Sequence, residues 1–212
     1  MSSTESSNST TSPGATPAKR RYRKRERARR EAETRLRITE ATMDLHRTVG
    51  PANTTVTEVA EKAGVGRMTV YNHFPSDYEL IEACSTHWSN LNPLPDPERW
   101  AGIGDPEERL DVALGELYAW YRETEDMMGN VLRDAPIVPA LGGLMEERWF
   151  SLVAAMVDVL ARGRRVRGAR AKRLRAAIRL AVDFWTWRTL TAHGGLAEPE
   201  AAATAAAAVR AA

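Results

Sequence analysis

Residues 67–73 read Arg-Met-Thr-Val-Tyr-Asn-His. Within seven positions, Arg67, Met68, Thr69, Tyr71, Asn72 and His73 gather hydrogen-bond donors, acceptors and apolar tips. On a short helix whose apolar side is spoken for, such a set can meet base edges in the major groove of double-stranded DNA. Val70 is the apolar exception, and Phe74 follows one turn later. Pro75 stops the helix.

The flanking residues are those that would hold such a helix in place. Thr55-Val56-Thr57-Glu58 has the form of a capping box, in which a Thr oxygen and a Glu carboxylate satisfy free N–H groups at a helix start. Val56, Val59, Ala60 and Ala63 give the next two turns one apolar face. Gly64 supplies the left-handed residue that ends them, and Val65 tucks behind it. Ala60 and Gly64 are small where two helices joined by a tight turn must approach closely. Val65, Val70 and Phe74 point back to hold the second helix. Ser76 and Glu79 form another capping box, which starts the following helix. The stretch 54–80 therefore reads as a helix-turn-helix. Thr55 and Thr57, at the start of its first helix, are assigned to the DNA side with the residues of the second.

On Thr54-Thr55-Val56, Val59-Ala60, Ala63-Gly64-Val65, Thr69-Val70-Tyr71, His73-Phe74, Ser76 and Leu80, the chain resembles the TetR family of bacterial transcriptional regulators. The specific likeness covers about residues 34 to 84. It implies a three-helix DNA-binding head, an all-helical body that dimerises and holds an effector, and usually repression. By position, it implies that Arg67, Met68 and Thr69 approach bases while Tyr71 and His73 hold phosphates. The chain departs from the family pattern at Gly66, where Ser or Thr often caps the recognition helix. It departs again at Asp77, where a Lys is common, and at His46, where an aromatic is usual.

Charge is unevenly placed. Of a net +2, residues 1–30 carry nine Lys/Arg against two Glu, which leaves the other 182 residues acidic at −5. An acidic body with a basic arm points to a polyanion engaged at one end. Residues 1–18 are polar and low in complexity, and residues 1–30 are expected as a disordered basic arm. Lys19, Arg20, Arg21, Arg23, Lys24 and Arg25 would lie along phosphates or enter a minor groove. The lone Cys84 excludes an internal disulfide and fits a reducing cytoplasm. No apolar run of membrane-spanning length occurs and the start lacks a secretory h-region, so a cytoplasmic protein without a membrane partner is expected.

The domain plan is the arm, a helix-turn-helix domain over 31–84, and a helical effector-binding and dimerisation domain over 85–212. Periodicity predicts a first helix over 31–49, a fourth over 76–90 and a Pro/Gly-rich linker over 91–106. It then predicts a helix from Glu107, a short segment from Met127, and two long apolar helices over 144–162 and 171–193. No stretch alternates long enough to be a strand, so the fold class is all-α. Two long apolar helices exceed what one small body covers, and a four-helix bundle formed by two copies of the chain is the economical solution. Between them, residues 162–179 hold nine basic residues and no acid, read as a solvated face, with a second nucleic-acid surface as the alternative.

The body's aromatic residues at helical spacing are ordinarily core. Trp120, Tyr121, Trp149 and Trp185 are nonetheless the candidates for the walls of an effector pocket, whose few charges point to a mostly apolar small molecule. The chain has no HExxH, no GxSxG, no phosphate loop and no Cys/His cluster, so neither catalysis nor a cofactor or metal is expected. The leading expectation is a homodimeric repressor released from a near-palindromic operator by its effector. The alternatives are an architectural DNA-binding protein without effector, or an activator.

Overall fold

The computed structural model describes residues 17–212, and the expectation of disorder before Pro17 lies outside them. The described residues are helical throughout, without a strand. They form α1 Pro17–Thr48, α2 Val56–Ala63, α3 Arg67–His73, α4 Asp77–Leu91, α5 Pro97–Ala101, α6 Pro106–Asp134, α7 Pro139–Met145, α8 Ser151–Ala161, α9 Gly168–Ala181, α10 Phe184–Arg188 and α11 Glu198–Ala211. No helix among them is long and apolar enough to cross a membrane. The described residues divide into two compact units that part between Arg37 and Ile38.

In the first unit, residues 17–30 are helix rather than an irregular arm. Arg, Lys, Glu and Ala are strong helix formers. Arg27 pairs with Glu31, Arg29 with Glu26 and Glu33, and Arg30 with Glu26. These pairs, three or four residues apart, support one another along the helix surface.

In the second unit, the head is built by the end of α1 with α2, α3 and the start of α4. Ile38, Ala41, Val59, Ala60, Ala63, Val70, Phe74 and Leu80 form its core. The body core joins α6, α8, α9, α10 and α11 around Leu114, Tyr118, Met156, Leu160 and Ile178. The alanines of α11 allow it to lie close on α6, with Ala201, Ala202, Ala205 and Ala206 all buried.

Four departures from the periodicity have local causes. The linker holds α5, capped by Asp96 and started by Pro97, and Trp100 on it is fully buried with its N–H donated to Glu116 at 2.8 Å. The segment from Met127 continues α6 without a break as far as Asp134. The helix expected over 144–162 carries a π turn at Glu146–Phe150. The one expected over 171–193 breaks at Asp183, whose carboxylate accepts from the N–H groups of Trp185 and Thr186 and so starts α10. Tyr118 and Tyr121 donate their hydroxyls to the Ala181 and Val182 carbonyls at that break, 2.9 and 2.7 Å away, which satisfies groups that a continuous helix would have paired.

Candidate nucleic-acid interface and ligand cavity

The predicted capping box forms. The Thr55 hydroxyl accepts from Glu58 N–H at 3.2 Å, and the Glu58 carboxylate accepts from Thr55 N–H at 2.8 Å. Bonding to the Thr55 hydroxyl and N–H holds the Glu58 carboxyl below its ordinary pKa. Gly64 ends α2 at φ +64, where a side chain would be strained. Its N–H and that of Val65 close the turn onto Glu61 and Ala60 carbonyls. Gly66 then opens α3 with no side-chain cap. With Val70 and Phe74 buried in the head core, α3 is fixed by its apolar side.

That leaves the remainder of α3 outward. Arg67, Met68, Tyr71 and Asn72 are exposed, Met68 to 69% and Tyr71 to 41%, while Thr69 and His73 are half-buried. No carboxylate among the described residues pairs with Arg67. Thr57 is exposed beside the capped Thr55. In the separate N-terminal unit, Lys19, Arg20, Arg21, Arg23, Lys24 and Arg25 are all exposed on α1. The Arg–Glu pairs formed by Arg27, Arg29 and Arg30 in that unit lie within residues 26–33.

The head is gripped by the C-terminal end of α6. Asn130 donates to the carbonyls of His46 and Arg47 at the end of α1, 3.1 and 2.8 Å away. Asp134, its side chain 2% exposed, accepts from Ala52 N–H at 3.0 Å and from the Arg133 guanidinium at 2.7 and 3.0 Å. Burial pushes the Asp134 carboxyl up, but these donors outweigh it and its pKa falls below the ordinary value. Gly50 sits at φ +91 against this carboxylate, and a Cβ there would collide with Asp134 and Arg133. His46 is buried behind it, with Nδ1 3.6 Å from Cys84 Sγ on α4. Burial lowers its pKa to about 4 against a partial upward pull from Asp134. Burial also pushes the Cys84 thiol up to about 12.

Next to this joint is a cavity of about 170 Å³. Its walls are Ile81, Cys84 and Trp88 of α4, Trp120, Met127 and Val131 of α6, and Leu144, Met145, Trp149 and Leu152 of the α7–α8 segment, with His46 at the head end. The Trp120 ring stacks on Trp149 at 6.1 Å and meets Trp88 edge-on at 5.7 Å. Arg148 is the only charged side chain in the lining. It ties the π turn to α4 through Glu82 at 2.8 Å and Thr86 at 3.1 Å.

Residues 38–84 match the family model described as bacterial regulatory proteins, tetR family. Over that segment, the head, the chain is similar to the TetR family, and this likeness supports a DNA-binding transcriptional regulator rather than an enzyme. Among curated proteins none matches the chain. Solved structures share the fold at low identity. A Clostridium perfringens protein provisionally named a fatty acid metabolism regulator is 15% identical, over 82% of this chain and 96% of its own, with a TM-score of 0.62. A TetR transcription regulator from Haloarcula marismortui is 19% identical, over 85% and 98%, at 0.58. NalD, the secondary repressor of the MexAB-OprM multidrug efflux pump in Pseudomonas aeruginosa, is 19% identical, over 84% and 94%, at 0.55.

Of the four residues expected around a pocket, only two reach the cavity. Trp120 and Trp149 line it. Tyr121 does not: it is fully buried among Phe184, Trp187 and Trp149, its hydroxyl used at the α9 break. Trp185 is 42% exposed on the surface with Arg188 over its ring, because the break at Asp183 turns it away from the core. His46, Cys84, Trp88 and Arg148 line the cavity as well, beyond the four expected. Residues Ile81, Cys84 and Trp88 did carry a readable signal, since an apolar stripe that runs on past Leu80 of the head core must face something in the body.

Proposed function

We propose that the chain acts as a homodimeric repressor whose α3 helices read the two halves of a near-palindromic operator. A small apolar molecule in the cavity releases it. The observation that carries this reading is the position of the cavity: one of its walls is α4, the helix that continues directly from α3 and its turn. Arg67, Met68, Thr69 and Asn72 are placed at base edges, and Thr55, Thr57, Tyr71 and His73 at the backbone of the same duplex. The Lys/Arg residues of the N-terminal unit add phosphate contacts that carry no sequence information.

Dimerisation is supported by apolar area that one copy leaves uncovered. Ala169, Ala176 and Leu180 share the outward face of α9, Leu180 being 65% exposed, and Trp185 and Phe150 add to it from α10 and the π turn. Two copies joined there would hold their α3 helices at a fixed separation, as half-sites about one helical turn apart require.

The cavity's size narrows the effector. An engineered apolar cavity of roughly 150 Å³ in another protein holds benzene. A cavity of about 170 Å³ is therefore on the scale of one or two fused rings. A guest of that size lodged between α4 and α6 would shift α4, which is the motion that spoils the spacing of the heads. By linkage, an effector weakens DNA binding by the factor by which DNA weakens effector binding.

The test is fluorescence anisotropy with labelled genomic fragments, followed by titration of indole or naphthalene into the best complex. Arg67→Ala is expected to cost about 1–3 kcal/mol on the preferred sequence and to relax its specificity there. A chain with no preference over random duplex would refute the reading. A specific complex that no apolar ring compound releases would refute the effector part alone.

A further inference from the structure

The nine basic residues of 162–179 do not all belong to the fold. Three have structural partners. Arg164 donates to Glu107 and to the Pro106 carbonyl, Arg175 pairs with Asp158, and Arg179 lies over the Phe150 ring. Arg162, Arg165, Arg167, Arg170, Lys172 and Arg173 are exposed, and none has a side-chain partner among the described residues. Glu107 and Asp158, the acids that do reach the cluster, are already taken up by Arg164 and Arg175.

This arrangement carries a cost. Arg170, Lys172 and Arg173 sit in the first turns of α9, which has neither a side-chain cap nor an acid there. The partial positive charge of a helix start makes each such cation unfavourable. Arg109 beneath adds a buried guanidinium with no carboxylate, its donors spent on the carbonyls of Ile103, Val159 and Arg162. A folded chain that concentrates like charge at one pole gains nothing in stability from doing so. An external polyanion relieves it.

The pole is remote from the head. Arg164 is bonded to Glu107 at one end of α6, and Ala52 of the head to Asp134 at the other. At about 1.5 Å per residue those ends are roughly 40 Å apart. A duplex held by α3 does not reach this surface.

We propose that the distal pole of the body, centred on Arg165, Arg167, Arg170, Lys172 and Arg173, binds a second DNA duplex through its phosphates, so that one regulator bridges two segments. Eight of the nine basic residues are Arg, whose planar fork suits phosphate bidentately. Among residues 162–175 no large apolar side chain is exposed, as a lipid bilayer would need: Val166 is half-buried and Leu174 buried. The surface also lacks the buried aromatic anchor of a protein interface. The outward Ala169, Ala176 and Leu180 run between Arg170 and Arg173 on one flank and Lys172 on the other, so the cations stay at the rim of the dimer proposed above.

The experiment uses the full chain. One duplex is fixed to beads, and capture of a second, fluorescent duplex of unrelated sequence is measured across a salt series. The variant carries Ser at positions 165, 167, 170, 172 and 173, with a thermal melt to confirm that it folds. Wild type is expected to capture the second duplex and the variant at least tenfold less, with unchanged affinity for the first. A second chain, Arg67→Ala with Tyr71→Ala, reads the pole by itself. Its residual DNA binding should lose up to about 4.5 from the slope of log K against log salt when the five Ser are added. Bridging failure with specific binding intact overturns this inference and leaves the repressor reading standing. Loss of specificity with bridging intact does the reverse. Equal capture by both chains, or binding to anionic vesicles or poly-glutamate without capture of duplex, overturns the proposal.

Discussion

Replacing His46 by Gln should remove a defined portion of the protein's acid sensitivity. In the folded chain the imidazole is buried and its pKa lies at about 4, against an ordinary value of 6.5. The unfolded chain therefore binds a proton that the folded chain refuses throughout the interval between those values. Stability must fall as pH drops from about 6.5 to about 4, and this contribution is absent at pH 7 and complete below 4. At 1.36 kcal/mol per pKa unit, the wild type loses about 3 kcal/mol across that window from this group. Asp134 faces the imidazole and does not confuse the reading. Its carboxyl is held below its ordinary 3.8 and stays ionised through the whole interval, so its own contribution is lost only at lower pH. Cys84, the other titratable neighbour, stays protonated at every pH concerned.

The assay is urea denaturation followed by tryptophan fluorescence at pH 7, 6, 5 and 4.5, at one protein concentration. Gln at position 46 alters stability at every pH, since it must find partners in a buried site. That offset cancels in the slope, and only the slope is at issue. The difference between wild type and variant should change by about 2 kcal/mol or more between pH 7 and 4.5. Two parallel curves would mean that the imidazole is protonated in the folded state or that water reaches it. The account of the joint as a dry contact between α1, α4 and α6 would then be wrong.

Three further outcomes follow from other parts of the molecule. Asp134→Ala strips the charged acceptor from the Ala52 N–H and should destabilise by about 2–3 kcal/mol, lowering the melting temperature in a calorimetric scan by roughly 5–10 °C; a shift under about 2 °C would show that α6 does not hold the head. Removing residues 1–30 should weaken binding to all duplexes alike and flatten the dependence of log K on log salt by about 0.9 for each phosphate that the arm neutralises, and an unchanged slope in a salt titration would exclude the arm from the interface. Cys84 in the folded chain should react with iodoacetamide at pH 8 about a thousandfold more slowly than a free thiol and at the ordinary rate in urea, as mass spectrometry would record; rapid native labelling would mean that the cavity opens to solvent.

The head and the body differ in how much of each was legible in the sequence, and the difference has a physical origin. Everything that places α3 is local. Thr55 and Glu58 lie three residues apart, Gly64 closes the turn within its own hairpin, and Ser76 caps the next helix from one residue before it. Interactions of such short range leave their signature in spacing, so the boundaries of α2, α3 and α4 could be read directly. The cavity is made by residues up to about a hundred positions apart, from His46 to Trp149. Apolar periodicity reports that a face is covered, not by what, and so it could not separate Trp120, which reaches the cavity, from Tyr121 beside it, which does not. The break at Asp183 shows the same limit from the other direction. Asp183 is a good N-cap residue by type, but the hydroxyls that make the break tolerable come from Tyr118 and Tyr121, some sixty residues earlier. A continuous apolar pattern over 171–193 was thus a true statement about which side is buried and an incorrect one about backbone continuity. It was this break that carried Trp185 out of the core and onto the surface proposed for the second copy of the chain.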